Sequence, residues 1–79
     1  MSAIPLRDYV VSGLVQGETV NRLLAFGEPM VTEYLPEYGG RRWYRAWIRL
    51  RSGGRTFGWQ DWSVQFAAEA LIRKLEGRR

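Results

Sequence analysis

The sequence predicts an α+β fold: a three-stranded antiparallel sheet with helices on one face, in the order α-β-β-β-α. Three observations carry that prediction. Residues 41–51, Arg-Arg-Trp-Tyr-Arg-Ala-Trp-Ile-Arg-Leu-Arg, alternate with the period of a strand, with Tyr44, Ala46, Ile48 and Leu50 on one side and Trp43, Arg45, Trp47, Arg49 and Arg51 on the other. A Gly53-Gly54 pair follows. A hairpin closed there sets Leu50 opposite Phe57 and Ile48 opposite Trp59, so the apolar residues of both strands share a side. Finally, Val64, Ala67, Ala68, Leu71, Ile72 and Leu75 recur at helical spacing, with Gln65, Glu69, Arg73 and Glu76 on the opposite side.

Taken from the N-terminus, Ile4 to Leu6 is a short apolar lead-in containing Pro5. Asp8 is placed to cap a helix over 8–15, where Val10, Val11, Leu14 and Val15 fit helical spacing. Gly13 and Gly17 oppose it, each costing roughly 1 kcal/mol against Ala in a helix interior, and Tyr9-Val10-Val11 has good strand propensity, so a strand over 8–15 stands as the alternative. Glu18 to Phe26 reads as the next helix, with Val20, Leu23 and Leu24 on its apolar edge and Gly27-Glu28-Pro29 as its stop. Met30 to Leu35 lies between Pro29 and Pro36, and proline cannot donate to a ladder, so this run reads as an edge strand. Glu37-Tyr38-Gly39-Gly40 is the turn into the Arg/Trp strand. Beyond the hairpin, Thr56, Gly58 and Gln60 are small or polar enough to leave the Arg/Trp side open. Asp61 or Ser63 caps the last helix, Trp62 reads as a lid on the core, and Gly77 is a natural stop. That helix is expected on Ile48, Leu50, Phe57 and Trp59, which turns the Arg/Trp row away from it.

With 79 residues the chain makes one small domain, able to bury only about 60 to 65 per cent of the surface of its unfolded form. It has no cysteine, so no disulfide and no thiolate chemistry, in keeping with a reducing compartment. It has no histidine either, which removes the commonest general base and the commonest zinc ligand. The first residues form neither a signal peptide nor a spanning helix, so a cytoplasmic location is expected. The carboxylates are scattered, with Glu33 and Glu37 the nearest pair in one segment. Ser12, Ser52 and Ser63 have no histidine to activate them. Gly53-Gly54-Arg55-Thr56-Phe57-Gly58 lacks the Lys-Ser/Thr of a phosphate loop and precedes a strand. Catalysis, cofactor and metal are therefore not expected.

Net charge is +4, and half of the 12 basic residues lie in a stretch without an acid between Glu37 and Asp61. All of the 12 except Lys74 are arginine, the cation that stacks on rings and forks onto carboxylate or phosphate. Arg41, Arg42, Trp43, Arg45, Trp47, Arg49, Arg51 and Arg55 are accordingly the candidate partner-binding residues. Two kinds of macromolecule suit them. Bases stack on indoles while arginines follow phosphates, and Trp and Arg are also the residue types that dominate protein-protein hot spots. A structural reading stands beside both: the N-terminal helices cover Trp43 and Trp47 as a second layer and the arginines reach past them to water. Self-association through the Met30–Leu35 edge, giving a homodimer rather than a monomer, is a further possibility.

From Gly53 to Leu75 the order Gly-Gly, Gly58, Ser63, Ala67, Leu71, Leu75 resembles the C-terminal part of a double-stranded-RNA-binding domain. That family places lysines at the start of its last helix, where this chain has Val64 and Gln65. As a whole, a small domain with no site chemistry and an oversized aromatic-basic surface also resembles in kind the small phage-encoded inhibitors of the anti-CRISPR group. The resemblance implies steric action in a bacterial host on a nucleic-acid-handling complex such as a CRISPR effector, without an active site.

Overall fold

The computed structural model describes residues 3–35, 40–53 and 56–77. It is an α+β domain built on an antiparallel sheet, and the sheet has four strands rather than three. They are β1 (Ala3–Pro5), β2 (Gly27–Tyr34), β3 (Trp43–Leu50) and β4 (Thr56–Asp61), in the spatial order β1-β2-β3-β4. Helices α1 (Asp8–Val11) and α2 (Gly17–Leu24) connect β1 to β2, and α3 (Val64–Glu76) follows β4.

The additional strand is the apolar lead-in, which pairs Ala3 with Thr32, Ile4 with Val31 and Pro5 with Met30. Three residues are too few to display a period of two, so its strand character is hidden in the sequence. Its presence corrects the reading of Met30 to Leu35 as an edge. β2 is an interior strand there, the backbone of Met30, Val31 and Thr32 being paired on both sides, so those three residues offer no open edge to a second copy. Pro29 sits inside β2, fully buried opposite Ile48. It is tolerated because its carbonyl accepts the Leu6 N–H at 3.0 Å. Since the N–H and C=O of one strand residue point the same way, the missing donor faces the side of β1, beyond its last pair, and the β2–β3 ladder loses nothing.

The β3–β4 register also differs from expectation. Ile48 lies opposite Phe57, Ala46 opposite Trp59 and Tyr44 opposite Asp61, a shift of two residues that leaves every side chain on its expected face. The chain turns at Leu50 itself, whose carbonyl accepts the Gly53 N–H at 3.0 Å, with Gly53 at a φ of 88°, so Leu50 is paired with Gly27 of β2 but not with Phe57. Gly54 and Arg55 lie outside the described residues, as do Glu37, Tyr38 and Gly39 of the other expected turn.

The helix expected over 8–15 ends at Val11. Gly13 takes a left-handed φ of 78°, open to glycine at little cost, and the Leu14 N–H bonds back to the Tyr9 carbonyl at 3.0 Å. Of its apolar residues Tyr9 and Val15 are buried, whereas Val10, Val11 and Leu14 are exposed. α3 follows its pattern closely, with Val64, Ala67, Ala68, Leu71, Ile72 and Leu75 all buried. Both expected caps take part: the Ser63 hydroxyl accepts the Phe66 N–H at 3.3 Å, and the Asp61 carboxylate accepts the Ser63 N–H at 3.1 Å.

Leu6, Tyr9 of α1, Val20 and Leu23 of α2, Val31, Ala46, Ile48 and the apolar row of α3 form one core. The helices are spread across the width of the sheet, α1 beside β1, α2 on β2 and α3 over β3 and β4, instead of gathering on the central hairpin. Gln65 ties α3 to α2, its amide donating to Thr19 Oγ1 at 2.9 Å and accepting the Gln16 N–H at 2.8 Å. Arg22 and Glu76 pair across the same two helices at 2.7 Å. Under α3, Ile48 is fully buried and Leu50 and Phe57 are partly so, but Trp59 is 47% exposed. β4 is the outermost strand, and this indole rides on its rim. Among the described residues no helix is long and apolar enough to cross a membrane.

Candidate interaction face

Strand alternation sends Trp43, Arg45, Trp47 and Arg49 away from the buried Ala46 and Ile48. Register adds neighbours to that face: Tyr34, Thr32, Met30 and Glu28 from β2, and Gln60, Gly58 and Thr56 from β4. All of these side chains are half-buried or exposed. Tyr9 of α1 and Val20 and Leu23 of α2 go to the core with Val31 and Ile48, so they are not what partly covers Trp43 and Trp47. Local contacts within the face do that.

Trp43 stacks on Trp62, with ring centroids 3.6 Å apart and planes tilted by 38°. The Arg41 guanidinium lies 5.5 Å from the Trp62 ring centre, a cation-π distance. The Trp47 indole N–H donates to Thr32 Oγ1 at 2.9 Å, which holds its ring against β2. The Arg45 guanidinium lies across Gly58, so that a Cβ at position 58 would come within 2.8 Å of its Nε. Glycine there is the slot in which this cation rests. Arg49 is exposed and opposite Glu28, whose carboxylate pairs with Arg7 at 3.2 Å. Among the described residues, no carboxylate lies within ion-pair distance of Arg45 or Arg49.

Arg41, Trp43, Arg45, Trp47 and Arg49 are thus brought together as the sequence suggests. Two other candidates are not part of this face. Arg42 reaches Glu33 at 3.6 Å, and Glu33 also accepts the Tyr9 hydroxyl at 2.5 Å. Arg51 lies beyond the end of β3 and donates to the Leu24 carbonyl at 2.9 Å, satisfying a free acceptor in the last turn of α2. Arg55 lies outside the described residues. Trp62 corrects the expectation of a core lid: it is 40% exposed and forms half of the indole stack. The signal for it was present, since Thr56, Gly58, Gln60 and Trp62 continue one parity past the end of β4.

Burial first, then the hydrogen bond and charge of Glu33, raise the Tyr9 phenol well above its ordinary pKa. Tyr9 also packs edge-on against Tyr44, with ring centroids 6.1 Å apart. A small depression bordered by Asp8, Tyr9, Ser12 and Glu33 lies there, but its phenol and one carboxylate are already engaged with each other. Among the described residues no cluster of three or more His, Cys, Asp or Glu could hold a metal. The chemistry open to the outer face is stacking and anion recognition: indole rings held in place, and two guanidiniums free to fork onto a carboxylate or phosphate.

The chain matches no protein-family model, no curated protein and no solved structure. Fold and face together define a small α+β domain whose sheet carries an aromatic-basic outer surface.

Proposed function

We propose that the protein is a non-enzymatic inhibitor of the anti-CRISPR kind, a phage or mobile-element product that blocks a nucleic-acid-handling protein complex sterically in the cytoplasm of a bacterial host. Its docking surface comprises Trp43, Arg45, Trp47, Arg49 and Trp62. The observation that carries the reading is Trp47, with its N–H satisfied inside the sheet and, on either side along β3, an arginine without an ion-pair partner among the described residues. A ring fixed before binding loses little rotamer freedom on docking, and Trp and Arg are the side chains most often responsible for hot-spot energy. A chain of net charge +4 does not imitate nucleic acid, so it would act by covering a protein surface.

The alternative, a nucleic-acid-binding regulator, draws support from the same Arg45-Trp47-Arg49 row. It is the weaker reading. Trp43 and Trp62 already stack on each other, and Arg42 and Arg51 serve internal acceptors, which lowers the density of cation and free ring below what a phosphate chain would use.

The deciding variant is Trp47→Ala with Arg49→Glu, assayed for capture of a purified effector complex. The expected result is at least tenfold weaker capture with circular dichroism and melting temperature nearly unchanged. Undiminished capture would refute the docking surface, and loss of the fold would assign these residues to structure. In parallel, titration with DNA and RNA at several salt concentrations should show no tight binding with a steep salt slope.

A further inference from the structure

We infer that this face recognises a protein segment in which carboxylates flank an apolar side chain, the apolar group lying on Met30 and Trp47 and the carboxylates reaching Arg45 and Arg49. The inference rests on the docking surface proposed above and specifies the chemistry of its partner. A shallow depression beside β3 is lined by Glu28, Met30, Trp47, Arg49 and Leu50. Its lining is mostly apolar, from Met30, the Trp47 indole and Leu50. Met30 and Trp47 are directly opposite in the ladder, so they form one continuous patch.

Charge then selects the occupant. Arg45 and Arg49 stand four residues apart on one strand, roughly 13 Å at the usual rise per residue, with Trp47 midway. Each guanidinium presents a planar fork that fits a carboxylate. The β4 neighbours Thr56, Gly58 and Gln60 bring no charge. From β2 the only charged residue on this face is Glu28, which shares Arg7; it lowers the positive potential near Arg49 and leaves that near Arg45 intact. A partner with carboxylates spaced about an apolar residue satisfies both cations and the patch together. A nucleic-acid strand would satisfy the two cations but find the neighbouring indoles stacked on each other, with few further cations for its remaining phosphates.

The test uses isotope-labelled protein in heteronuclear NMR with three probes: a short peptide of the pattern Glu-Ser-Leu-Ser-Glu, which when extended sets both carboxylates and the apolar group on one face, the same peptide with Lys in place of Glu, and a single-stranded oligothymidylate of the same net charge as the first. The Glu peptide should saturably shift the Trp47 indole N–H and the Arg45 and Arg49 Nε–H signals. The Lys peptide should not. Arg45→Gln combined with Arg49→Gln should weaken the Glu peptide at least tenfold. Absence of those shifts, unchanged affinity in the arginine variant, or tighter binding of the oligothymidylate would overturn the inference. If it falls while Trp47→Ala with Arg49→Glu still loses capture of the effector, the face remains a docking surface of different chemistry. If that variant also retains capture, the docking surface itself is refuted.

Discussion

Tyr9 illustrates how one side chain can join the two halves of the fold. Its hydroxyl donates to Glu33 of β2, and its ring meets Tyr44 of β3 edge-on. Tyr9→Phe keeps the ring and should cost about 1.5 to 3 kcal/mol at neutral pH, as expected for a hydrogen bond to a charged acceptor. The pH dependence has a definite sign. Because the folded phenol is raised above its ordinary 10.0, the unfolded chain loses this proton first, and the stabilisation is full below about pH 10 and declines above it. Urea unfolding from pH 7 upward should show the gap between wild type and Tyr9→Phe narrowing past pH 10. Gly58 makes a second case: Gly58→Ala puts a methyl where Arg45 lies, so the guanidinium must move while the backbone need not. Melting should change little, and binding that depends on Arg45 should weaken severalfold by calorimetry. Neither role can be read from the sequence, because each depends on a neighbour across a strand. The parity of Trp43, Arg45, Trp47 and Arg49 can be read, since alternation is intrinsic to an extended chain.

Where β3 meets β4, the sequence conveys the face of every residue but not the partner opposite it. Hydrophobic pattern repeats every two residues, so registers two apart satisfy it equally; the turn in which the Leu50 carbonyl accepts the Gly53 N–H goes with the observed one. Which residues of a glycine-containing loop close that bond is not marked by the hydrophobic pattern. α3 is the opposite case, legible from its periodicity and its Ser63 cap. Ser63→Ala should destabilise the domain by about 1 kcal/mol in thermal or chemical unfolding. The outer edge of the sheet has a guard contributed by that helix. Lys74 reaches the Gly58 carbonyl at 3.5 Å, with its ammonium 5.8 Å from the Phe57 ring centre. A lysine along an exposed edge discourages strand addition. Lys74→Ala should therefore introduce concentration-dependent association in sedimentation, with the monomer's circular dichroism retained.

At the other edge, β1 is short and ends in Pro5, another arrangement that resists strand addition. With both edges of the sheet protected, light scattering should report a monomer even at high concentration; a stable dimer of wild type would mean that another surface is sticky. The fold class was legible from three local regularities, whereas β1 was not, because a strand of three residues owes its existence to the β2 backbone it pairs with and not to a pattern of its own. The site was legible in part for a related reason. Composition marks where arginines are plentiful, but only tertiary contacts show that Arg42 and Arg51 serve Glu33 and the end of α2.

Two indoles at van der Waals distance couple their electronic transitions, and Trp43 and Trp62 are such a pair on the outer surface. Trp59, on the opposite side of the sheet, is not in that stack. The domain accordingly carries an intrinsic optical gauge. Anything that settles on the stacked pair should alter their exciton circular dichroism without labelling, and Trp62→Phe should silence the signal while the fluorescence of the other three tryptophans remains.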